Sequence, residues 1–255
     1  MWGIVPAAGK GTRIQPLAFS KELLPLAGQH DGATQRPRAV SDFLVERFLS
    51  AGARCICFVI SPGKSDIFEY YARAENPATI CYAVQPEPAG LCDAIFRALP
   101  LISANESVIV GLPDTIWFPA DGLARLPDDR FSFLLFPVEN PQLFDSVECD
   151  SEGRVLRIRV KEAGASSQWI WGAFKLPAAA LRSLHDLWIE RGRADEYVGT
   201  LVSAWIAHGG EAWGLHAGEA YYDVGTMDGY MQAMRELAAV GGARPDAAKM
   251  ERGAA

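Results

Sequence analysis

The stretch Gly3-Ile-Val-Pro-Ala-Ala-Gly9-Lys10-Gly11-Thr12-Arg13 determines how the rest of this chain is interpreted. Its first half, Gly3–Ala7, is a short apolar run that ends in glycine-rich residues, which is typical of a buried strand followed by a tight turn. Such a turn exposes backbone N–H groups, and its glycines let the chain approach oxygen atoms closely. The stretch therefore predicts a strand and a phosphate-binding loop, to which Arg13 and Lys21 add positive charge.

Two familiar glycine motifs do not fit this loop. A dinucleotide-binding turn needs a third glycine where Ile14 stands, and a P-loop needs Ser or Thr where Gly11 stands. A second Gly-Lys-Ser run, Gly63–Ser65, has Phe58 at the position of the first P-loop glycine. Both motifs are rejected on the identity of single residues.

Strand-like and helix-like stretches alternate along the chain. Strands are expected at Gly3–Ala7, Cys55–Ile60, Thr79–Val84, Ser107–Leu112, Phe131–Val138, Val155–Lys161, Ile170–Phe174 and Glu211–His216. Helices are expected at Ser41–Ala51 with Ser41 as N-cap, after the loop Ser61–Gly63 as far as Tyr71, and at Leu91–Leu99, Pro177–Arg191, Glu196–Ala207 and Met227–Val240. The alternation predicts an α/β fold, with a mixed, mostly parallel, Rossmann-like central sheet and helices on both faces.

The sequence also predicts the domain organisation. No internal repeat and no linker interrupts residues 1–240, so we expect one domain there. Residues 241–255 show no periodicity, and we expect them to form a frayed tail.

Composition excludes several classes of protein. Of the 255 residues, 49% are apolar and 22% charged, which permits a sizeable core and argues against disorder. The net charge of −7 argues against a general nucleic-acid-binding surface, and no window approaches the roughly 18 apolar residues of a membrane span. The five cysteines form no metal-binding or disulfide pattern, and no export signal precedes the first strand, so we expect a cytoplasmic protein.

Four segments in order together resemble the sugar nucleotidyltransferases. The first is Gly9-Lys-Gly-Thr-Arg13 with Pro16 and Lys21-Glu-Leu-Leu-Pro25, which matches that family's G-x-G-T-R-x-x-P and K-x-x-L-P signature. Gln85–Leu91 resembles the nucleobase segment, Gly111–Thr115 the first metal segment, and Tyr222–Thr226 the second. The nearest branches are the thymidylyl- and uridylyltransferases that act on glucose 1-phosphate.

The resemblance implies a set of site residues and ligands. It implies nucleotide binding by Ala8, Gly9, Gly11, Thr12, Arg13, Gln85 and Gly90, catalysis by Arg13 and Lys21, sugar-phosphate binding by Lys161 and Gly172, and Mg²⁺ binding by Asp114 and Asp223. The implied partners are a nucleoside triphosphate (dTTP or UTP) and a sugar 1-phosphate, with no nucleic acid and no membrane. Whether the chain forms a homo-oligomer stays open.

The chemistry itself explains why these residue types would suffice. A sugar 1-phosphate is largely dianionic near neutral pH because its second pKa is about 6, so its oxygen can attack an α-phosphorus without a general base. The site must instead bring two polyanions together, which calls for Mg²⁺, lysine and arginine. The four histidines form no recognisable constellation, and none is assigned a role.

Two departures from the family pattern leave alternatives open. Residues 27–35, AGQHDGATQ, lengthen what we expect to be a loop near the active site. Val160 stands where the family has an acid before Lys161, with Glu162 as a displaced substitute, so the sugar is uncertain and glucose 1-phosphate is the default. Two further hypotheses are a catalytically silent sugar-nucleotide sensor and transfer to phosphocholine in an aromatic cage of Trp169 and Trp171.

Overall fold

The structure is a computed structural model that describes residues 1–31, 34–72 and 76–242. The strands are β1 (Trp2–Pro6), β2 (Pro25–Asp31), β3 (Thr34–Ala39), β4 (Cys55–Ile60), β5 (Thr79–Val84), β6 (Ser107–Gly111), β7 (Thr115–Phe118), β8 (Ser132–Pro137), β9 (Asp145–Cys149), β10 (Val155–Val160), β11 (Trp169–Pro177), β12 (Trp213–Leu215) and β13 (Ala220–Asp223). The α-helices are α1 (Val40–Ser50), α2 (Ser65–Tyr71), α3 (Gly90–Arg97), α4 (Ala178–Glu190), α5 (Val198–Ala207) and α6 (Met227–Gly242).

The main sheet has a parallel half and an antiparallel half. Its order is β10-β9-β11-β6-β1-β4-β5, with β8 paired to β11 and β12 paired to β8. Strands β6, β1, β4 and β5 are parallel, whereas β11 runs antiparallel to β6, β8 and β9. The α/β fold with a mixed central sheet is confirmed.

Helices cover both faces of this sheet because successive strand residues point to opposite sides. In β1, Ile4 belongs to one core cluster with residues of α3, α4 and α5, whereas Val5 belongs to another with residues of α1 and α2. The apolar runs of β1, β4 and β6 are buried on both faces, as expected for a sheet with helices on each side, whereas the edge strand β5 is only partly buried. A third, smaller cluster joins α1, α6 and the strands β2, β7 and β13 around Leu26, Phe43 and Val224.

The position of β1 determines where a ligand would bind. Strand β1 lies between β4 and β6, so the chain leaves β1 on one side and returns on the other. Open α/β sheets bind ligands beyond the carboxyl ends of the strands at such a reversal. The glycine-rich loop follows β1 and Asp114 follows β6, so both lie at this crevice.

The structure corrects the expected start of the first helix. Helix α1 begins at Val40, one residue before the predicted N-cap Ser41. The Asp42 carboxylate accepts a hydrogen bond of 3.0 Å from the Ala39 N–H. Ser41 is instead buried and accepts a hydrogen bond of 2.8 Å from the Tyr71 hydroxyl, so a tertiary contact uses the side chain that was expected to cap the helix.

The expected long loop at residues 27–35 is also corrected. Residues from Pro25 to Ala39 form the antiparallel hairpin β2–β3, with residues 32 and 33 outside the described part. Strands β7, β9 and β13 were missed as well, because short strands carry little pattern of their own. Most of the expected tail, from residue 243 onward, lies outside the described residues. Among those described, no helix has both the length and the apolar character that a membrane span requires.

Candidate active site

The glycine-rich loop begins where β1 ends and bends sharply at Gly11. The Ala7 N–H still donates to Val59 of the neighbouring strand at 2.8 Å, and Ala8 is buried. Gly11 has φ +66°, and a Cβ there would lie 2.8 Å from Cδ of Lys21. A larger residue would therefore be strained and would push against the lysine. Gly9 and Thr12 lie on the exposed side of the loop.

Lys21 and Asp114 form an ion pair at the carboxyl ends of the central strands. Lys21 Nζ donates to Asp114 Oδ2, and both side chains are largely buried. Burial alone would raise the pKa of Asp114, but Lys21 outweighs it and holds that pKa below its ordinary value. Burial would likewise lower the pKa of Lys21, and the carboxylates of Asp114 and Glu22 raise it instead. Both groups are therefore charged at neutral pH.

Arg13 and Asp223 form a second pair beside the first. Arg13 Nη1 donates to Asp223 Oδ2 at 2.7 Å, and the arginine side chain is 60% exposed. A Cβ at Gly225 would lie 2.9 Å from Asp114 Oδ2, 2.9 Å from Asp223 Oδ1 and 3.2 Å from Arg13 Nη2. Three of the predicted residues therefore converge on a point that only glycine leaves free.

This convergence depends on the pairing of β7 with β13. Asp223 lies opposite Thr115, the residue after Asp114, and the Val224 N–H donates to the Asp114 carbonyl at 2.9 Å. Two oxygen-bearing carboxylates at one point are a donor set that Mg²⁺ accepts, since it usually takes one or two carboxylates with phosphate oxygens and water. No group of three or more His, Cys, Asp or Glu side chains suited to a metal ion occurs within the described residues. The two predicted aspartates thus fit Mg²⁺ bound together with a phosphate.

Glu22 and Lys64 support the loop, and neither was predicted. Lys64 Nζ donates to the Ala7 carbonyl at 2.6 Å and to the two Glu22 carboxylate oxygens at 2.7 and 2.8 Å. Burial raises the pKa of Glu22 and lowers that of Lys64, while each side chain opposes the shift of the other. Lys64 follows β4, a neighbour of β1, and this shared sheet edge is the signal that could have identified it.

Gln85 lies at the same edge of the sheet, after β5, and is buried. Its Nε2 donates to the Gly90 carbonyl at 3.0 Å and to Asp93 Oδ2 at 2.8 Å. Both partners are acceptors, so they determine the orientation of the amide and leave Oε1 as the atom available to a ligand. Gly90 has φ +85°, and a Cβ there would lie 2.6 Å from the Glu196 Cα, so the turn requires glycine.

Lys161 and Gly172 lie outside the charged cluster. Lys161 follows β10 with φ +48°, and its Nζ lies 4.8 Å from the centre of the Tyr197 ring. Gly172 is buried in β11, where a Cβ would lie 2.8 Å from Cε2 of Tyr221. Burial raises the pKa of Tyr221, and so do Asp223 and Asp114, so Gly172 packs behind a ring that borders the aspartates.

The remaining alternatives also have definite positions. The Glu162 carboxylate is about half exposed and pairs with Arg159 at 2.6 Å. Trp171 is buried against Phe133 and Phe174. Trp169 packs on His216 with ring centres 4.6 Å apart and lines an open cavity of about 930 Å³. Both indoles border the same core cluster, but among the described residues no ring contact joins them, and each packs on other rings.

The chain is similar to known proteins over most of its length. A family model described as nucleotidyl transferase matches residues 2–240. A glucose-1-phosphate thymidylyltransferase of Mycolicibacterium smegmatis is 26% identical over 244 residues, covering 91% of this chain and 81% of that protein. Another, of Neisseria meningitidis, is 28% identical over 178 residues, covering 66% of this chain and 58% of that protein.

A solved structure shares the fold. The UTP-bound UGPase from Acinetobacter baumannii superposes with a TM-score of 0.72 at 18% identity, and 92% of each chain is covered. Identity this low supports the fold alone. The family match, by contrast, covers nearly the whole chain, and the chain therefore belongs to the nucleotidyl transferase family.

Proposed function

We propose that this chain is a Mg²⁺-dependent enzyme that transfers a nucleoside monophosphate from dTTP or UTP to a sugar 1-phosphate and releases pyrophosphate. The observation that carries the proposal is the convergence of Arg13, Asp114 and Asp223 on Gly225, with Lys21 paired to Asp114. The similarity to two glucose-1-phosphate thymidylyltransferases supports the sugar 1-phosphate as acceptor, with glucose 1-phosphate as the first to test.

The reaction needs charge stabilisation more than proton transfer. An oxygen of the acceptor phosphate attacks the α-phosphorus, and the bond from that phosphorus to the bridging oxygen of the β-phosphate breaks, so pyrophosphate leaves with the electron pair. The acceptor phosphate is already ionised, so no side chain has to remove a proton. This agrees with a site built from cations and carboxylates.

Lys21, Arg13 and the two aspartates would each have a different role in the reaction. Lys21 is held charged and largely buried beside Asp114, where its interaction with a phosphate oxygen is strengthened by low exposure to water. Arg13 is exposed and planar, which suits bidentate contact with the pyrophosphate end of the nucleotide. Mg²⁺ held by Asp114 and Asp223 would neutralise the charge that develops on the phosphates.

The proposal is tested by measuring pyrophosphate release over a matrix of nucleoside triphosphates and phosphorylated acceptors. We expect release only when a triphosphate and a sugar 1-phosphate are both present, with negligible hydrolysis of the triphosphate alone. Phosphocholine in the same matrix tests the non-sugar alternative. Tight binding of a nucleotide sugar without turnover on any acceptor would instead identify a sensor.

A glycine variant tests the site directly. Gly225→Ala should lower kcat by about tenfold or more, because its Cβ would displace both carboxylates and Arg13, while the melting temperature changes little. Gly63→Ala is the matched control, since a Cβ there meets nothing within 4 Å. Equal turnover in the two variants would remove this point from the active site.

A further inference from the structure

Asp145 lies across the sheet from the position where the sequence lacks an acid. It is the first residue of β9, and its Cα is paired with that of Val160 in β10. Residues directly opposite in an antiparallel pair share a face, with Cβ atoms about 5 Å apart. The Asp145 carboxylate therefore projects on the side where the Val160 side chain projects, next to Lys161.

Two contacts locate this carboxylate more closely. A Cβ at Gly199, in the first turn of α5, would lie 3.2 Å from Asp145 Oδ2, so the helix passes directly over it. Phe144, the residue before Asp145, packs edge-on against Tyr221 with ring centres 5.9 Å apart, and its carbonyl accepts a hydrogen bond of 2.9 Å from the Lys161 N–H. Tyr221 lies two residues before Asp223, so Asp145 is close to both β13 and Lys161.

A second, independent feature at this place is an incomplete hydrogen bond. The Trp171 indole is 5% exposed, and its buried Nε1 has no hydrogen-bond partner of normal geometry. In the antiparallel pairing of β11 with β9, Ile170 lies opposite Ser146, which places Trp171 opposite Asp145. The indole N–H lowers the pKa of that carboxyl, which burial raises. A buried polar group usually completes its hydrogen bonds, so this pair has room to adjust when a further group binds.

On the basis of the function proposed above, we propose that Asp145 binds a hydroxyl group of the acceptor sugar, with Trp171 as the residue that positions its carboxylate. Lys161 would hold the phosphate of the same acceptor at the neighbouring position. One anionic and one cationic group side by side match a molecule that carries both hydroxyl donors and a phosphate.

The packing around Asp145 favours hydroxyls over a quaternary ammonium. An ammonium of that kind has no N–H or O–H to donate and is held by the faces of several aromatic rings. The Trp171 ring is buried against Phe133 and Phe174, and the Trp169 ring packs edge-on against His216. A carboxylate, in contrast, is an acceptor that a sugar hydroxyl satisfies directly.

Asp145 also has a purely structural interpretation, which the experiment must separate. A carboxylate at the first turn of α5 interacts favourably with that end of the helix dipole. In that case, removing the Asp145 carboxylate would alter the stability of the protein but would not change which hydroxyls of the acceptor contribute to kcat/KM. The two roles therefore differ in a substrate-dependent readout.

The experiment measures kcat and KM for glucose 1-phosphate and its four singly deoxygenated analogues, in the wild type and in Asp145→Asn, Asp145→Ala and Trp171→Phe. We expect the wild type to lose about tenfold or more in kcat/KM on one analogue. In Asp145→Ala the ratio of kcat/KM for glucose 1-phosphate to kcat/KM for that analogue should fall to about twofold, with most of the change in KM. Trp171→Phe should give a ratio between those of the wild type and Asp145→Ala. Glu148→Gln, on the opposite face of β9, should behave as wild type.

The possible outcomes separate this proposal from the proposed function. If pyrophosphate is released but the deoxy ratios are the same in wild type and Asp145→Ala, Asp145 is structural and the transfer activity stands. Calorimetric titration with the same sugar phosphates extends the test to an inactive protein. Binding that depends on one hydroxyl and on Asp145 supports the proposal even without transfer, whereas no binding, or turnover with phosphocholine alone, overturns it.

Discussion

The hydrogen bonds that Gln85 already makes leave one atom of its side chain free to contact a nucleobase. Both N–H groups of its amide are used by the Gly90 carbonyl and by Asp93, which Arg97 holds in turn at 3.0 to 3.1 Å. The free atom is the acceptor Oε1. Uracil and thymine carry an N3–H that can donate to it, whereas N3 of cytosine is itself an acceptor. The residue therefore fits one hydrogen bond to the base, and not the donor–acceptor pair that a free glutamine would offer.

Gln85 should accordingly control the rejection of CTP. We expect the wild type to discriminate against CTP more strongly than between dTTP and UTP, which differ by a methyl group worth about 1–3 kcal/mol in an apolar pocket. Gln85→Ala should lose chiefly the rejection of CTP. The measurement is kcat/KM for the three nucleotides at saturating acceptor.

The control for this prediction is Arg97→Ala. It leaves both Gln85 hydrogen bonds possible and should keep the CTP ratio within about twofold of the wild type. CTP, ATP or GTP as the best donor, or an unchanged ratio in Gln85→Ala, would exclude Gln85 from base recognition.

Among elements, Lys64 joins three pieces of chain at the carboxyl edge of the sheet. It precedes α2, bonds the Ala7 carbonyl at the end of β1, and pairs with Glu22 in the short helix Lys21–Leu23. Glu22 is 1% exposed, so its charge depends on this partner. The pair therefore keeps Lys21 and the glycine-rich loop in fixed relative positions, although Glu22 stands at a variable position of the predicted motif and Lys64 lies outside it.

Replacing only one member of the Glu22–Lys64 pair should destabilise the protein more than replacing both. Lys64→Met leaves a buried carboxylate without its counter-charge and should cost about 3–5 kcal/mol in free energy of unfolding. Lys64→Met combined with Glu22→Leu should recover most of the loss, because no buried charge remains. Denaturant unfolding at neutral pH measures both changes, and a double variant no more stable than Lys64→Met would contradict the assignment.

The pH dependence of the single variant follows from the same burial. Burial already raises the pKa of Glu22, and without Lys64 the opposing attraction is weakened, so the folded-state pKa rises further above the unfolded value. A group of this kind favours the folded state below its unfolded pKa, and that stabilisation is lost as the pH rises through the folded pKa. The deficit of Lys64→Met relative to wild type should therefore shrink as the pH is lowered from about 7 to about 5.

At the scale of the whole molecule, each carboxylate of the candidate metal site is already paired with a cation of the chain. The chain carries a net charge of −7, yet Asp114 and Asp223 are each paired with a cation, Lys21 and Arg13. These pairs join residues far apart in sequence, between the glycine-rich loop and the strands β7 and β13. The fold therefore needs no metal ion to neutralise the two carboxylates.

Removing divalent metal should separate activity from stability. A chelator should stop pyrophosphate release from a mixture of nucleotide and acceptor. In the absence of nucleotide it should shift the melting temperature by no more than about 2 °C, because only a ligand that binds the folded state stabilises it. Added Mg²⁺ should restore the activity. A large fall in melting temperature on chelation would show that the two carboxylates require the metal to fold.

Many of the strands, the glycine-rich loop and the charged residues of the site could be predicted from the sequence. The apolar runs gave the bounds of β4 and β5 and the presence of β1, β6, β8, β10 and β11, because short runs rich in apolar and β-branched residues and bounded by turn residues are typical of strands. The glycine-rich loop was found from composition and position, since few residues other than glycine adopt the φ of Gly11. The predicted cluster residues Arg13, Lys21, Asp114 and Asp223 came from spacing and resemblance, and the structure brings them together.

Local sequence patterns are therefore sufficient to predict the α/β class and the loop after β1, because both depend on neighbouring residues and their backbone preferences. The charged residues were predicted from motif spacing and resemblance. Which distant groups meet depends on how the whole chain folds. Asp223 reaches Asp114 through the pairing of β13 with β7, Lys64 reaches Glu22 across the sheet edge, and Asp145 faces Val160 through the β9–β10 register. These contacts join short strands and loops of little local pattern, and they form because burying the shared apolar clusters selects one arrangement of the whole chain.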